Sequence, residues 1–328
     1  MVSILIAARN EEANIISCLQ SVSKLAYPAS ECEVLIGDDA SEDRTASLVE
    51  AYIQDKPNFR LVYIEKTIGL AKGKANVLAQ LAQQARGEYL FTTDADIVVP
   101  PFWIQTMLAA CVQTTGIVSG ITLVKGNKLF HLLQSLDWAY AFGLVHVFME
   151  NKIPITVMGN NMLVTREAYE SVGGYEAIPF SVTEDFALFH AIVNKGFSFR
   201  HLLIKEVLAY SQPMKTLSDL LQQRKRWMAG AVKLPFYIQS IFLLQALLFP
   251  VLVLLMWAAP QIGWMLILLK LLVDTAYLIW VLHKIKELHL IKYVWVYELY
   301  MIVFSMLTLL YYFIPGTLQW KGREYKNR

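Results

Sequence analysis

Along the first hundred positions, short continuous apolar runs alternate with stretches whose apolar residues recur every three or four positions. Val2–Ala8 is an apolar run of strand length. Within residues 13–22, Ile15, Ile16, Leu19 and Val22 share one helical face. Residues 33–37 predict a second strand, which ends at Asp38-Asp39; 45–52 predict a helix and 60–65 a strand. Residues 74–85 read as a helix rich in Ala, Leu and Gln, and 89–93 as a buried strand that runs into Asp94-Ala95-Asp96. Strands alternating with helices predict a mostly parallel sheet with both faces covered. Ligands of such sheets sit beyond the carboxyl ends of the strands. Asn10-Glu11, Asp38-Asp39 and Asp94-Ala95-Asp96 all fall just past strand ends, which predicts a nucleotide-type crevice.

From Gly116 the pattern changes. Residues 117–123 read as strands broken at Gly120, and 129–148 as a long aromatic-rich helix. Residues 155–164 predict a short sheet interrupted at Gly159-Asn160-Asn161, and Gly173-Gly174-Tyr175 a turn. Residues 185–193 predict a helix with an acidic N-terminus, which the helix dipole favours. Residues 217–227 predict an amphipathic helix carrying Gln223-Arg224-Lys225-Arg226-Trp227. Beyond it, 241–259 hold no charge and are long enough to cross a bilayer core, with a tolerable kink at Pro250. Residues 262–283 and 294–314 predict two further spans. Lys270 and Asp274 lie one turn apart in the second and can pair on one face, and Glu298 stands near the start of the third. Trp257, Trp264, Trp280, Trp295 and Tyr311-Tyr312 mark the expected interfaces.

Composition agrees with this division. The 328 residues are 56% hydrophobic and 17% charged, with mean hydropathy +0.42, too apolar for an ordinary soluble enzyme. The expected organisation is a catalytic domain over residues 1–235, including an interfacial helix, a transmembrane region over 236–315 with about three helices, and a basic tail over 316–328. A net charge of +2 without a basic, aromatic-interleaved stripe predicts no nucleic-acid partner. Cys18, Cys32 and Cys111 have no metal-ligand spacing and read as reduced thiols; the histidines form no such spacing either. The chain opens on a strand with no charged segment ahead of it, so no secretory signal is expected. Lysine and arginine at 224–226, 233, 284, 286 and 292 predict cytoplasmic segments. Three full spans would then put Lys321, Arg323, Lys326 and Arg328 on the opposite side, against that rule, unless one hydrophobic segment is re-entrant or interfacial.

The polar signatures each admit a ligand-binding and a structural account. Asp38 and Asp39 can accept from a base N–H or ribose hydroxyls, or can close a turn on the backbone. Lys74, behind Gly73, suits a diphosphate or a base carbonyl, or is a solvated surface cation. Asp94 and Asp96 offer oxygen ligands for Mg²⁺ or Mn²⁺, or cap the turn before Pro100-Pro101. Glu184-Asp185 offers a general base, or charge complementarity to a helix N-terminus. Gln223, Arg226 and Trp227 share one helix face and can enter a crevice, while Arg224 and Lys225 suit anionic headgroups.

Six signatures occur in order: Ala7-Ala8-Arg9-Asn10-Glu11-Glu12, Asp38-Asp39-Ala40-Ser41, Gly73-Lys74-Ala75-Asn76, Asp94-Ala95-Asp96, Thr183-Glu184-Asp185 and Gln223-x-x-Arg226-Trp227. Together they resemble the membrane-bound inverting glycosyltransferases of family 2, which include cellulose, chitin and hyaluronan synthases and ceramide glucosyltransferases. The resemblance spans residues 2–227 and the appended apolar helices. It implies a GT-A (nucleotide-diphospho-sugar transferase) α/β domain with a mostly parallel central sheet, followed by C-terminal transmembrane helices. It implies transfer from a nucleotide-diphospho-sugar, a UDP-sugar, to a lipid or glycan acceptor at the cytoplasmic membrane face, with a Mg²⁺ or Mn²⁺ cofactor. By resemblance Asp185 is the base and Asp96 the direct metal ligand. Ala7, Asn10, Glu11, Asp39, Lys74, Asp94, Gln223, Arg226 and Trp227 hold the donor, and Asn160, Asn161 and Glu184 lie on the acceptor side. A processive polysaccharide synthase and a non-catalytic membrane scaffold or transporter subunit are the rival expectations.

Overall fold

The computed structural model describes residues 1–231, 236–314, 318–320 and 323–325. They form two compact units, one of residues 1–123 and 144–212, the other of 124–143 and 213–328. The helix that carries Gln223 falls in the second unit.

The first unit begins β1 (Val2–Ala8), α1 (Ile15–Val22), β2 (Cys32–Asp38), α2 (Thr45–Ile53), β3 (Phe59–Tyr63), α3 (Lys74–Gln84) and β4 (Tyr89–Asp94). These are the elements the apolar periodicity predicts, with ends shifted by a residue or two. Next come α4 (Trp103–Ala109), β5 (Thr115–Gly120) and β6 (Thr122–Val124). Helix α5 (Leu129–Glu150) passes from one unit to the other. The first unit ends with β7 (Asn161–Thr165), α6 (Arg166–Ser171), α7 (Gly174–Ala177), α8 (Glu184–Asn194), β8 (Ser198–Leu202) and β9 (Ala209–Ser211).

Seven strands build one sheet in the order β3-β2-β1-β4-β7-β5-β8. All neighbours are parallel except β7, which runs antiparallel to β4 and β5. The mostly parallel sheet is as expected, and β7 is where it becomes mixed. In β1, Val2, Ile4, Ile6 and Ala8 alternate into a core shared with Ile15, Leu19, Val34, Ile36, Phe91 and Trp103. The rings of Phe91 and Trp103 meet edge to face at 4.9 Å.

Gly37 has a packing reason to be glycine. A Cβ there would press within 3.3 Å of a Leu81 methyl and closer still to Val77, so its absence lets α3 lie against β2. Gly73, at φ +56 and ψ −132, turns the chain into α3 through a region that side chains rarely adopt. These two glycines fix where Lys74 emerges.

The second unit contains α9 (Leu217–Ala231), α10 (Phe236–Ala258), α11 (Pro260–Lys284), α12 (Val294–Phe313) and a small antiparallel pair, β10 (Leu318–Trp320) and β11 (Arg323–Tyr325). Among the described residues two stretches, Pro260–Lys284 and Leu288–Phe313, are long and apolar enough to cross a membrane. Helix α10 has 23 residues and contains Pro250 as expected. Lys270 and Asp274 form the predicted ion pair, and Tyr140 donates to Asp274 at 3.1 Å. Of the basic residues considered for orientation, Lys233, Lys321, Lys326 and Arg328 lie outside the described residues.

Asn161, expected on the acceptor side, is a core residue instead. It is fully buried: its amide nitrogen donates to the carbonyls of Ile121 (2.8 Å) and Val207 (2.9 Å), and its oxygen accepts from the Trp103 indole (2.8 Å). Burying these groups together requires that each be bonded. Asn161→Leu should therefore lower stability by about 2–4 kcal/mol, because it orphans the Val207 carbonyl and an indole N–H. Thermal unfolding of the detergent-solubilised chain, followed by tryptophan fluorescence, checks this. An unchanged midpoint would contradict the structural role.

Candidate active site

The carboxyl ends of β1, β2 and β4 lie side by side, with Ala7 in register with both Gly37 and Asp94. The residues expected at these ends divide into those that build loops and those that meet each other. Asn10, at φ +52, donates its backbone N–H to Ser41 Oγ (3.1 Å), and its side-chain oxygen accepts from Glu42 N (2.9 Å). Glu11 donates its N–H to Thr45 Oγ1 at 2.7 Å and accepts from the Asn14 amide at 2.8 Å. Arg9 reaches the carbonyls of Asp39 and Ala40. This segment knits the loop after β1 to the loop after β2. Asp39 is buried, and its N–H bonds to Ala8 O at 2.9 Å. Asp38 is also buried: Oδ2 accepts from Ser41 N at 3.2 Å, while Oδ1 has no partner. The turn account of Asp38 thus uses one of its two oxygens.

Lys74 is the centre of the site. Its ammonium lies 2.6 Å from Asp94 Oδ1 and 3.0 Å from Glu184 Oε1, bridging the end of β4 and the start of α8. The surface-lysine account fails, since the side chain is only 15% exposed. Burial alone would lower the Lys74 pKa, but Asp94, Glu184 and Asp185 raise it overall, so the amine stays charged.

Asp185 is held at both oxygens. Oδ2 accepts from Gly159 N at 2.8 Å and Oδ1 from Phe186 N at 2.8 Å. Gly159 needs to be small here, because a Cβ would lie 2.6 Å from Asp185 Cβ. Desolvation raises the Asp185 pKa to about 6, with Glu184 adding to the rise and Lys74 and the two backbone bonds opposing it. A carboxyl poised near neutrality at a helix start has the properties of a general base.

Asp96 lies two residues past Asp94, and its Oδ2 accepts from the Ser211 hydroxyl at 3.1 Å. The donor set at this turn is oxygen only, which fits Mg²⁺ or Mn²⁺ bound chiefly through a ligand's phosphates. Among the described residues no group of three or more His, Cys, Asp or Glu is arranged to hold a metal by itself. Asn160 accepts from the Thr122 hydroxyl at 3.1 Å and is partly buried beside Gly159.

Gln223, Arg226 and Trp227 lie on α9 in the second unit. Trp227 packs against Trp138 at 5.3 Å and Phe142 at 6.5 Å, and Arg224 stacks over it at 4.3 Å. Arg224 also pairs with Asp137, and the buried Lys225 donates to the Ile314 carbonyl. Both cations are therefore internal ties of that unit, contrary to the expectation that they face headgroups. Their long stems and Arg224's flat guanidinium suit this aromatic packing. Gln223 Oε1 is buried and has no partner.

Sequence reading gave no role to the Gly159 N–H, which aims the Asp185 carboxylate, nor to Tyr175, whose buried hydroxyl has no partner. Backbone donors leave no residue-type signal, and Tyr175 followed a Gly-Gly pair that marked only a turn.

A mixed, mostly parallel sheet with acidic strand ends and a helix-borne carboxylate is a GT-A-like arrangement. The profile of glycosyl transferase family 21 matches residues 1–328, and the chain belongs to that family. The family assigned is thus 21, where the motifs resemble family 2. Among curated relatives, a β-monoglucosyldiacylglycerol synthase from Synechocystis is 26% identical over 70% of this chain and 47% of its own length. A poly-β-1,6-N-acetyl-D-glucosamine synthase from Staphylococcus epidermidis is 25% identical over 70% of this chain and 54% of its own. The chain matches about half the length of these relatives. A mannosyltransferase from Pyrobaculum calidifontis, solved with GDP-Man and Mn²⁺, superposes over 92% of this chain and 87% of its own at TM-score 0.59 and 19% identity.

If Asp185 must be deprotonated to act, activity should fall as pH drops through about 6. Glu184→Gln removes a charge that raises the Asp185 pKa, so the acid limb of kcat/KM should move down by about half to one unit. Lys74→Met removes a charge that lowers it, so the limb should move up. A pH–rate profile with saturating acceptor checks both signs; shifts in one common direction would contradict the arrangement.

Proposed function

We propose that this chain transfers a sugar, with inversion, from a nucleotide-diphospho-sugar to a lipid hydroxyl at the cytoplasmic face of a membrane. The observation that carries this reading is the Asp185 carboxylate. It is fixed by two backbone N–H groups, has its pKa raised to about 6, and lies in one charged cluster with Lys74 and the strand-end Asp94. In-line displacement needs a base on the face opposite the leaving diphosphate. Asp185 takes that role. Lys74 and Asp94 belong to the donor side, and Glu184 holds Lys74 while bordering the acceptor side with Asn160. Asp38 and Asp39 receive the nucleoside on the platform made by Ala7, Asn10 and Glu11. Convergence of the acidic clusters weighs against a non-catalytic scaffold.

Asp96, with Asp94, would hold a divalent cation, which would neutralise charge on the diphosphate as it leaves. Mn²⁺ in the Pyrobaculum mannosyltransferase supports this choice. A uridine donor follows from the resemblance; that enzyme's GDP-Man makes guanosine the alternative to test. The lipid acceptor rests on the two membrane-length helices and on the relative named as a glycolipid synthase. The second reading, a processive polysaccharide synthase, is supported by the relatives named as poly-N-acetylglucosamine synthases. In either case the protein is a multi-pass membrane protein with the α/β unit in the cytoplasm.

Membranes containing the full chain, supplied with radiolabelled UDP-sugars or GDP-mannose and a lipid extract, should yield a labelled lipid bearing one sugar. Labelled polymer would favour the second reading. Asp185→Asn should keep donor binding and lower turnover by about 10²-fold or more. Chelation should abolish activity and Mn²⁺ or Mg²⁺ should restore it. Full turnover in excess chelator would remove the metal from the scheme.

A further inference from the structure

Strand β4 reaches the start of α8 by two routes. One is charged: Asp94, at the strand end, holds the Lys74 ammonium at 2.6 Å, and Lys74 meets Glu184 at 3.0 Å. The other is neutral. Two residues before Asp94, the Thr92 hydroxyl donates to the Gly159 carbonyl at 2.8 Å. The Gly159 N–H in turn donates to Asp185 Oδ2 at 2.8 Å. Both routes begin on one strand and end on adjacent residues of one helix.

Gly159 needs such an anchor. Residues 153–158 belong to no helix or strand, and β7 begins only at Asn161. The residues next to Gly159 are tied elsewhere. Thr122 donates its N–H to Met158 Sδ at 3.3 Å and its hydroxyl to Asn160 Oδ1 at 3.1 Å. Neither bond touches Gly159, and glycine has the least inherent restraint on its own torsions. The Thr92 bond grips its carbonyl, and so limits the directions in which its N–H can point. Thr92 suits this task. It is buried, it sits on a strand flanked by β1 and β7, and its branched side chain is stiff at χ1.

We infer that Thr92 is a positioning residue: through Gly159 it sets where the Asp185 carboxylate stands relative to the strand end at Asp94. This rests on the reading of Asp185 as the base. Thr92 is only 3% exposed, so its effect passes through Gly159 and not through contact with a substrate. Without the Thr92 hydroxyl, Gly159 would donate more loosely. Asp185 would then lose part of its aim, together with part of what opposes its burial. Glu184 and Lys74, the charged neighbours that also act on Asp185, are held by the other route and keep their places.

The test compares the full wild-type chain with Thr92→Val, which keeps the branched shape but removes the hydroxyl, and with Thr92→Ser, which keeps the hydroxyl. Thr92→Val should lower kcat about tenfold, the scale of a modest misalignment of a reacting group, and leave donor and acceptor KM within about twofold. The acid limb of the pH–rate profile should move up by about half a unit, because the Gly159 bond lowers the Asp185 pKa. Hydrogen exchange over residues 155–160, read by mass spectrometry, should quicken. Thr92→Ser should restore all three. An unchanged kcat, a loss carried by KM, an unmoved acid limb or an equal loss in Thr92→Ser would each overturn the inference. So would faster exchange without a kinetic change, which marks a merely structural tie. If Thr92→Val does not fold, Thr92→Cys, with a weaker donor of similar size, gives the same readouts. A wild-type chain that transfers no sugar sinks the glycosyl-transfer reading, and this inference with it. An active wild type whose kinetics ignore Thr92→Val sinks only the inference.

Discussion

One ammonium group organises the α/β unit's polar edge. Lys74 stands among Asp94, Glu184 and Asp185, which come from a strand end and a helix start about ninety residues apart in sequence. Three carboxylates this close would repel one another in a partly dry site. With the cation between them, repulsion becomes a network that fixes the distance from β4 to α8. Backbone features set its geometry: Gly37 lets α3 approach the sheet, Gly73 turns the chain into α3, and Gly159 leaves room for Asp185. Arrival of a diphosphate would add negative charge next to the same ammonium.

How much of this could be read from residues alone depended on the kind of signal. The first four strands and three intervening helices were readable because burial on both faces of a parallel sheet leaves continuous apolar runs. Acidic residues at the strand ends were readable for the same reason, since the runs stop there. Helix α4 and strands β8 and β9 were not. They are short, and Ser198–Leu202, with Arg200 and His201, lacks a strand-like apolar run. Asn161 looked like a site residue because it follows a glycine in a polar run. Only the three-dimensional packing reveals that Trp103, Ile121 and Val207 consume its amide. Charge was the least readable property. Lys74, Arg224 and Lys225 have the composition of surface residues, and all three are largely enclosed.

The second unit reverses the usual distribution. Large apolar side chains such as Leu268, Leu272, Trp295 and Leu299 face outward, while Asp274 and Glu298 are buried. A surface of that kind is unfavourable against water and suited to lipid. The same inversion explains the ties within the unit. With apolar residues spent on the outside, Arg224–Asp137, Lys270–Asp274, Tyr140–Asp274 and the stack of Arg224 on Trp227 supply directional contacts inside. Such interactions choose which helix faces meet, where apolar packing alone would permit many.

Asp185 shows why its surroundings must be balanced and not merely acidic. Burial and Glu184 strengthen it as a base by raising its pKa, but each also makes its charged form harder to keep. Left unopposed, those two effects would raise its pKa further. Lys74 and the N–H groups of Gly159 and Phe186 oppose them. The resulting pKa, about 6, stays below neutral while keeping the group more basic than a solvated aspartate. The backbone bonds also set direction, because a carboxylate tied at both oxygens cannot rotate freely. Basicity and orientation are thus set by the same few contacts, and the glycine at 159 belongs to the site as much as the aspartate it holds.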